Sequence, residues 1–168
     1  PSEMCIRDSS YVNPHYQEDS TSMRAAGLIR GTYHYALPQY SAILQTQHYA
    51  AVLATNTTSL DLPPALDLEE TGGLSPAALQ IWVRAFLTTL DKLTGRQTII
   101  YVSPGFWRYQ MGNTTEFSER PLWIADYNGG TSPTMPLPGG WTKWTFWQYT
   151  GNGSVDGVAT PIDLNTFN

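Results

Sequence analysis

Short apolar runs alternating with helical patterns, three of those runs closing on an acid, and regular punctuation by Gly and Pro predict an α/β fold, an irregular (β/α) barrel of the TIM type. Alternation of strand and helix implies parallel strands, since a crossover helix returns the chain to the same end of the sheet. Acids at strand ends fit the face on which such a barrel carries its chemistry. With 168 residues, 41% of them hydrophobic, the chain is long enough to bury one core and is read as a single domain.

Residues 1–9 (Pro-Ser-Glu-Met-Cys-Ile-Arg-Asp-Ser) show no period that continues past residue 10, so 1–10 reads as an appended or disordered segment and 11–168 as the partial barrel domain. Asn13-Pro14 opens a turn, and 15–26 reads as a polar helix ended by Gly27. Residues 28–36 read as a strand halted before Pro38, and 40–55 as a helix carrying Ile43, Tyr49, Val52 and Leu53. Residues 66–69 form the acid-bearing strand. Ser75-Pro76 supplies an N-cap with Pro at the first helical position; Leu79, Trp82, Val83, Phe86, Leu87 and Leu90 then mark an amphipathic helix to Leu93, stopped by Gly95. A buried strand at 98–103, a short helix or turn at 104–111 and a strand at 121–127 come next. After a Gly/Pro-rich loop at 129–140, extended pieces at 144–150 and 161–165 complete six strands. A closed eight-stranded barrel needs two more, which would have to precede residue 11.

Composition excludes several classes. A net charge of −5 with nine scattered Lys and Arg gives no footprint for nucleic acid. No apolar run approaches the ~20 residues of a membrane span. One cysteine, Cys5, permits neither an internal disulfide nor a Cys-based zinc site. His15 and His48 lack partners at ligand spacing, so neither a metal nor a cofactor is expected. Six Trp and ten Tyr suit stacking on sugar rings or packing of a barrel.

Chemistry concentrates at Pro64-Ala-Leu-Asp-Leu-Glu-Glu70. In an extended strand residues i and i+2 share a face, so Asp67 and Glu69 line one wall as an acid-base pair and Glu70 points away as a spectator. A solvated acidic turn is the bland reading, and Asp inside a strand argues against it. Asp126, at the tip of its strand, either joins the same chemistry or caps the following loop. Tyr33 and Tyr35 share a face opposite His34, so either the tyrosines or the histidine look inward. Trp123, Tyr127 and Trp147 stack on a sugar or belong to the core, and Tyr149 lies near a strand end.

Taken together, Gly31-Thr-Tyr-His-Tyr35, Pro64-Ala-Leu-Asp-Leu-Glu69, Ile100-Tyr-Val-Ser103, Leu122-Trp-Ile-Ala-Asp-Tyr127, Trp147-Gln-Tyr149 and the closing Val155-Asp-Gly and Ile162-Asp-Leu-Asn165 resemble, in order and spacing, the glycoside hydrolase family 25 lysozymes, which are N-acetylmuramidases. The resemblance covers roughly Tyr11 to Phe167. It implies an irregular (β/α) barrel that cleaves the β-1,4 bond between N-acetylmuramic acid and N-acetylglucosamine. Its partners would be the glycan strands of peptidoglycan, and the enzyme a cofactor-free monomer, secreted or acting at the wall as a bacterial enzyme or phage endolysin. It places the catalytic acids on Asp67 and Glu69, makes Glu69 the general acid, and adds Asp163 as a carboxylate lining the cleft. Family members normally open with a strand reading roughly Gly-Ile-Asp-Val-Ser and then a second strand. Neither motif is present, so the resemblance implies a barrel lacking its first two strands.

Glycoside cleavage needs a proton for the leaving oxygen and negative charge near the oxocarbenium-like centre. Of two neighbouring acids the more buried keeps its proton, and the resemblance makes Glu69 the one that donates. Asp67 would stay ionised and either stabilise the positive charge or orient the substrate's 2-acetamido group for attack on C1. Two other classes compete with retaining muramidase. One is a chitinase-like barrel glycosidase, whose longer run of alternating acids is replaced here by Leu62, Pro63 and Pro64. The other is an inactive wall-binding relative.

Overall fold

The computed structural model describes residues 5–7 as backbone and 11–56, 58, 61–158 and 161–168 with side chains, in two compact units, Ser2–Ile99 and Ile100–Asn168. It is a mixed α/β fold.

In the first unit β1 (Cys5–Arg7), β2 (Tyr11–Val12), α1 (Tyr16–Ala25), β3 (Tyr33–Tyr35), α2 (Ala42–Ala54), β4 (Ala65–Asp67) and α3 (Pro76–Thr94) follow in order. The strands lie β2-β1-β3-β4, with β1, β3 and β4 parallel and β2 antiparallel to β1. Ser41 and Ser75 cap α2 and α3 by accepting from Leu44 N and Ala78 N, and Gly95 ends α3 in the left-handed conformation at φ 68°. The apolar stripe of α3, Leu79 to Leu90, is buried at all six expected positions. At about 1.5–3 kcal/mol per buried side chain against ~1 kcal/mol for a cap, hydrophobic docking dominates its placement. His34 and Leu66 face these helices. His34 is wholly buried, its ring 5.5 Å from that of Tyr49 and 5.4 Å from that of Phe86, and its Nε2 is 2.9 Å from Gln45 Oε1.

The strand expected over 28–36 shortens to Tyr33–Tyr35. Before it, the Arg30 carbonyl still accepts from Leu62 N (2.7 Å), while its side chain enters a buried network: its Nε donates to Asp61 Oδ1 (2.7 Å), and its guanidinium also reaches Ser20 O, Ser20 Oγ and Asn56 O. Leu28 and Ile29 are left exposed. The network joins α1, the exit of α2 and the approaches to β3 and β4. Burial alone would raise the Asp61 carboxyl, but the hydrogen bond from Arg30, the Thr58 N–H and the Arg30 charge together hold it below its ordinary value. A depressed folded value means stability that is full above the unfolded carboxylate value of about 3.9 and is lost as pH falls through the lower folded one. Urea melts of the parent and Asp61→Asn are therefore expected to differ most near neutral pH and to converge toward pH 2; a constant gap would count against this ion pair.

In the second unit β5 (Ile99–Val102), α4 (Pro104–Tyr109), β6 (Leu122–Ala125), a 3-10 turn (Pro138–Gly140), β7 (Phe146–Gly153) and β8 (Ile162–Phe167) follow. β5, β6 and β7 run parallel, and β8 is antiparallel to β7 with register shifts after Gln148 and Thr150. Ile100, Val102, Leu122, Ile124 and Trp147 form one face and are buried, as are Trp107, Met111, Phe117 and Trp141. Tyr101, Trp123 and Phe146 align on the other face and remain half-exposed.

The six expected strands are all present, mostly shorter than expected. The count itself is corrected, because the described residues contain eight, the additional two falling at 5–7 and 11–12. A two- or three-residue strand is too short to register a period, so the sequence passes over it. All-parallel pairing is also corrected: β2 and β8 are antiparallel.

Candidate functional site

The first unit sets the acids. β4 ends at Asp67, which pairs in register with Tyr35 and whose backbone carbonyl accepts from Ala36 N at 2.8 Å. In parallel strands register partners share a face, so Tyr33, Tyr35, Ala65 and Asp67 lie on one side, and His34 with Leu66 on the other. This resolves the alternative between the tyrosines and His34. Asp67 is only 6% exposed, whereas Glu69, two residues beyond the strand, is exposed. The burial order is thus the reverse of the one expected for Glu69 as the protonated member, and its role as acid rests on the resemblance alone. Glu70 also departs from expectation. Alternation does not carry past the strand end, and Glu70 accepts a 2.7 Å hydrogen bond from the Tyr35 hydroxyl, which brings it to the tyrosine neighbouring Asp67. Burial, the Glu70 hydrogen bond and the charges of Glu70, Glu69 and Asp67 hold the Tyr35 phenol above its ordinary value, so it stays a donor.

In the second unit a polar cluster gathers Tyr101, Tyr127, Gln148 and Asp163. Gln148 is 4% exposed, and its Oε1 accepts from Tyr101 Oη (2.7 Å) and from Tyr127 Oη. Beside Gly151 a methyl group would lie 3.2 Å from Asp163 Oδ1 and 3.3 Å from Tyr127 Oη, so the absence of a side chain lets these two oxygens approach the same stretch of β7. Asp126 is a loop anchor. Its Oδ2 accepts from Thr134 N (2.7 Å) and Asn128 Nδ2 (3.1 Å), and its carbonyl accepts from Trp147 Nε1 (2.8 Å). The expectation that Trp147 stacks on a sugar is corrected: at 4% exposure and pinned by that bond, it is a packing residue. Tyr149 covers it, ring centroids 5.6 Å apart, and is 38% exposed. Trp123 donates its indole N–H to Asn165 Oδ1 at 2.8 Å and meets Tyr101 edge-on.

Sequence reasoning missed Glu70, Tyr101 and Gln148. A signal existed for the last two. Tyr101 is the polar member of the otherwise aliphatic β5, Gln148 sits between the aromatic residues Trp147 and Tyr149 of β7, and a buried polar side chain requires a partner. Among the described residues no group of three or more His, Cys, Asp or Glu is placed to hold a metal, and no helix is long and apolar enough to cross a membrane.

Comparison with known proteins gives a consistent result. The family model "Glycosyl hydrolases family 25" matches residues 7–158. Lysozyme M1 of Streptomyces globisporus is 31% identical over 169 residues, covering 95% of this chain and 56% of the relative. N,O-diacetylmuramidase of Chalaropsis sp is 32% identical over 173 residues, covering 89% and 81%. The solved bacterial lysozyme of Streptomyces coelicolor superposes with a TM-score of 0.84 at 29% identity, covering 98% of this chain and 80% of that one. The chain spans about half the length of most curated relatives it matches.

Proposed function

The chain belongs to glycosyl hydrolases family 25, and from that membership we propose that it is a peptidoglycan hydrolase, a muramidase cleaving the β-1,4 bond between N-acetylmuramic acid and N-acetylglucosamine with retention of configuration. The observation that carries the proposal is the placement of Asp67 at the last position of β4, in register with Tyr35, with Glu69 two residues beyond it. Two neighbouring carboxyl groups are what glycoside cleavage uses. The family's irregular (β/α) barrel is carried forward as part of the proposal, supported by the parallel run of β1, β3 and β4 in one unit and of β5, β6 and β7 in the other.

In this mechanism Glu69 protonates the glycosidic oxygen as the C1–O bond breaks. Its carboxylate then takes a proton from the water that attacks C1, which restores the acid. Asp67 stays ionised and holds the 2-acetamido N–H, so that the acetamido oxygen closes on C1 and is later displaced by that water. The sugar passes through two inversions, and β remains β. Asp163 and Tyr127 bind the glycan.

Asp67→Asn is expected to lower turnover by about 10²–10³-fold, the scale for losing one transition-state electrostatic contact, while the first-formed product stays β. Proton NMR of a digested soluble muropeptide oligomer reads both. First appearance of the α anomer would demand an inverting site with carboxyls ~6.5–9.5 Å apart and would end the retaining mechanism. The substrate class is tested by turbidity loss of Gram-positive walls against release from chitin. Release from chitin alone would favour a chitinase-like enzyme, and wall pull-down without turbidity loss an inactive binder.

A further inference from the structure

The cluster around Gln148 has no role in the acid chemistry, yet its geometry is specific. Buried amides usually spread their hydrogen bonds over both ends, whereas here one oxygen collects two phenol protons from residues on different elements: Tyr101 in β5 and Tyr127 in the segment after β6. We propose that Gln148 is a positioning residue that orients the hydroxyls of Tyr101 and Tyr127, so that both phenols meet the glycan as hydrogen-bond acceptors.

With its proton committed to Gln148, a phenol can make any further hydrogen bond at that oxygen only as the acceptor. Tyr127 Oη and Asp163 Oδ1 both approach Gly151, within 3.3 Å and 3.2 Å of where its Cβ would be, so two acceptors lie close together on this face. Two acceptors select a donor, which in this ligand class means an amide N–H or a sugar hydroxyl, and they disfavour a carboxylate or an ether oxygen. β7 supplies both parts of the device. Gln148 stands at the start of its register shifts, and Gly151 within the shifted stretch lets Asp163 of β8 come close. The inference rests on the muramidase reading for its ligand.

The test compares Gln148→Leu, Gln148→Glu, Tyr127→Phe and the Gln148→Leu/Tyr127→Phe pair, measuring KM and kcat on soluble muropeptide oligomers and Kd for chitotetraose by calorimetry. Gln148→Leu removes the shared acceptor and is expected to raise KM and Kd about ten- to a hundredfold with kcat little changed, the pattern of lost ground-state binding. Gln148→Glu keeps an acceptor for both hydroxyls and is expected to stay within a few-fold of the parent. The double variant should add little to Gln148→Leu, because the hydroxyl it removes is already misdirected. An unchanged KM in Gln148→Leu, full additivity, or a loss confined to kcat and melting temperature would overturn the positioning role while leaving the muramidase reading intact. A parent that binds chitotetraose without cleaving walls would end the muramidase reading, and Kd would still decide the role of Gln148. A parent that does neither removes both.

Discussion

Glu69→Gln is expected to fold like the parent and to lose wall-lytic turnover by about 10²–10⁴-fold, the range that proton transfer by a positioned side chain contributes. The amide keeps the shape of the carboxyl but has no acidic proton for the leaving oxygen. Glu69 lies exposed beyond the end of β4, so the substitution disturbs no packing, and thermal melts of the two proteins should coincide. Turbidity assays on Gram-positive walls measure the loss. Near-full activity in Glu69→Gln combined with its loss in Asp126→Asn would reverse the assignment. That result would be hard to reconcile with Asp126, whose carboxylate already holds the turn to Thr134.

The second large effect is on stability. Arg30→Met is expected to cost about 3–5 kcal/mol of unfolding free energy, because it leaves Asp61 partly buried without its cation and strips donors from Ser20 and Asn56. A surface pair would contribute about 0–1 kcal/mol, so the size of the loss distinguishes a buried network from a superficial one. Arg30→Met with Asp61→Leu should recover much of it, since replacing both charges removes the stranded carboxylate. Urea denaturation of the parent and the two variants decides the matter; a loss below ~0.5 kcal/mol in Arg30→Met would show that the network contributes nothing to folding.

Legibility in the sequence followed the length over which a pattern could repeat. α3 could be read nearly to its last residue because six apolar positions recur at helical spacing and Ser75, Pro76 and Gly95 mark its ends. β1 could not, because three residues hold no period. Asp67 was visible as an acid closing an apolar run, but the orientation of Glu70 was not, since strand alternation was extended past the residue where pairing stops. Trp147 illustrates the ambiguity of aromatic residues: nothing in Trp-Gln-Tyr says which face meets the core, and the partner that decides it, the carbonyl of Asp126, lies 21 positions away. The role of Gln148 depends likewise on tyrosines 47 and 21 positions distant, a relation visible only after folding.

The Arg30–Asp61 lock and the acids stand at opposite ends of the same strands. Arg30 and Asp61 precede β3 and β4, whereas Asp67 closes β4 and Glu69 lies beyond it. From Asp61 to Asp67 the chain advances six residues, three of them in β4, a span of up to about 20 Å against the 7–10 Å within which substitutions couple energetically. Changes in glycan preference made by exchanging residues beyond Asp67 should therefore add to stabilising changes around Arg30 without penalty from one to the other. On the muramidase reading, a lineage adapting to a new substrate has freedom to vary the exits of these strands as long as their entries are kept.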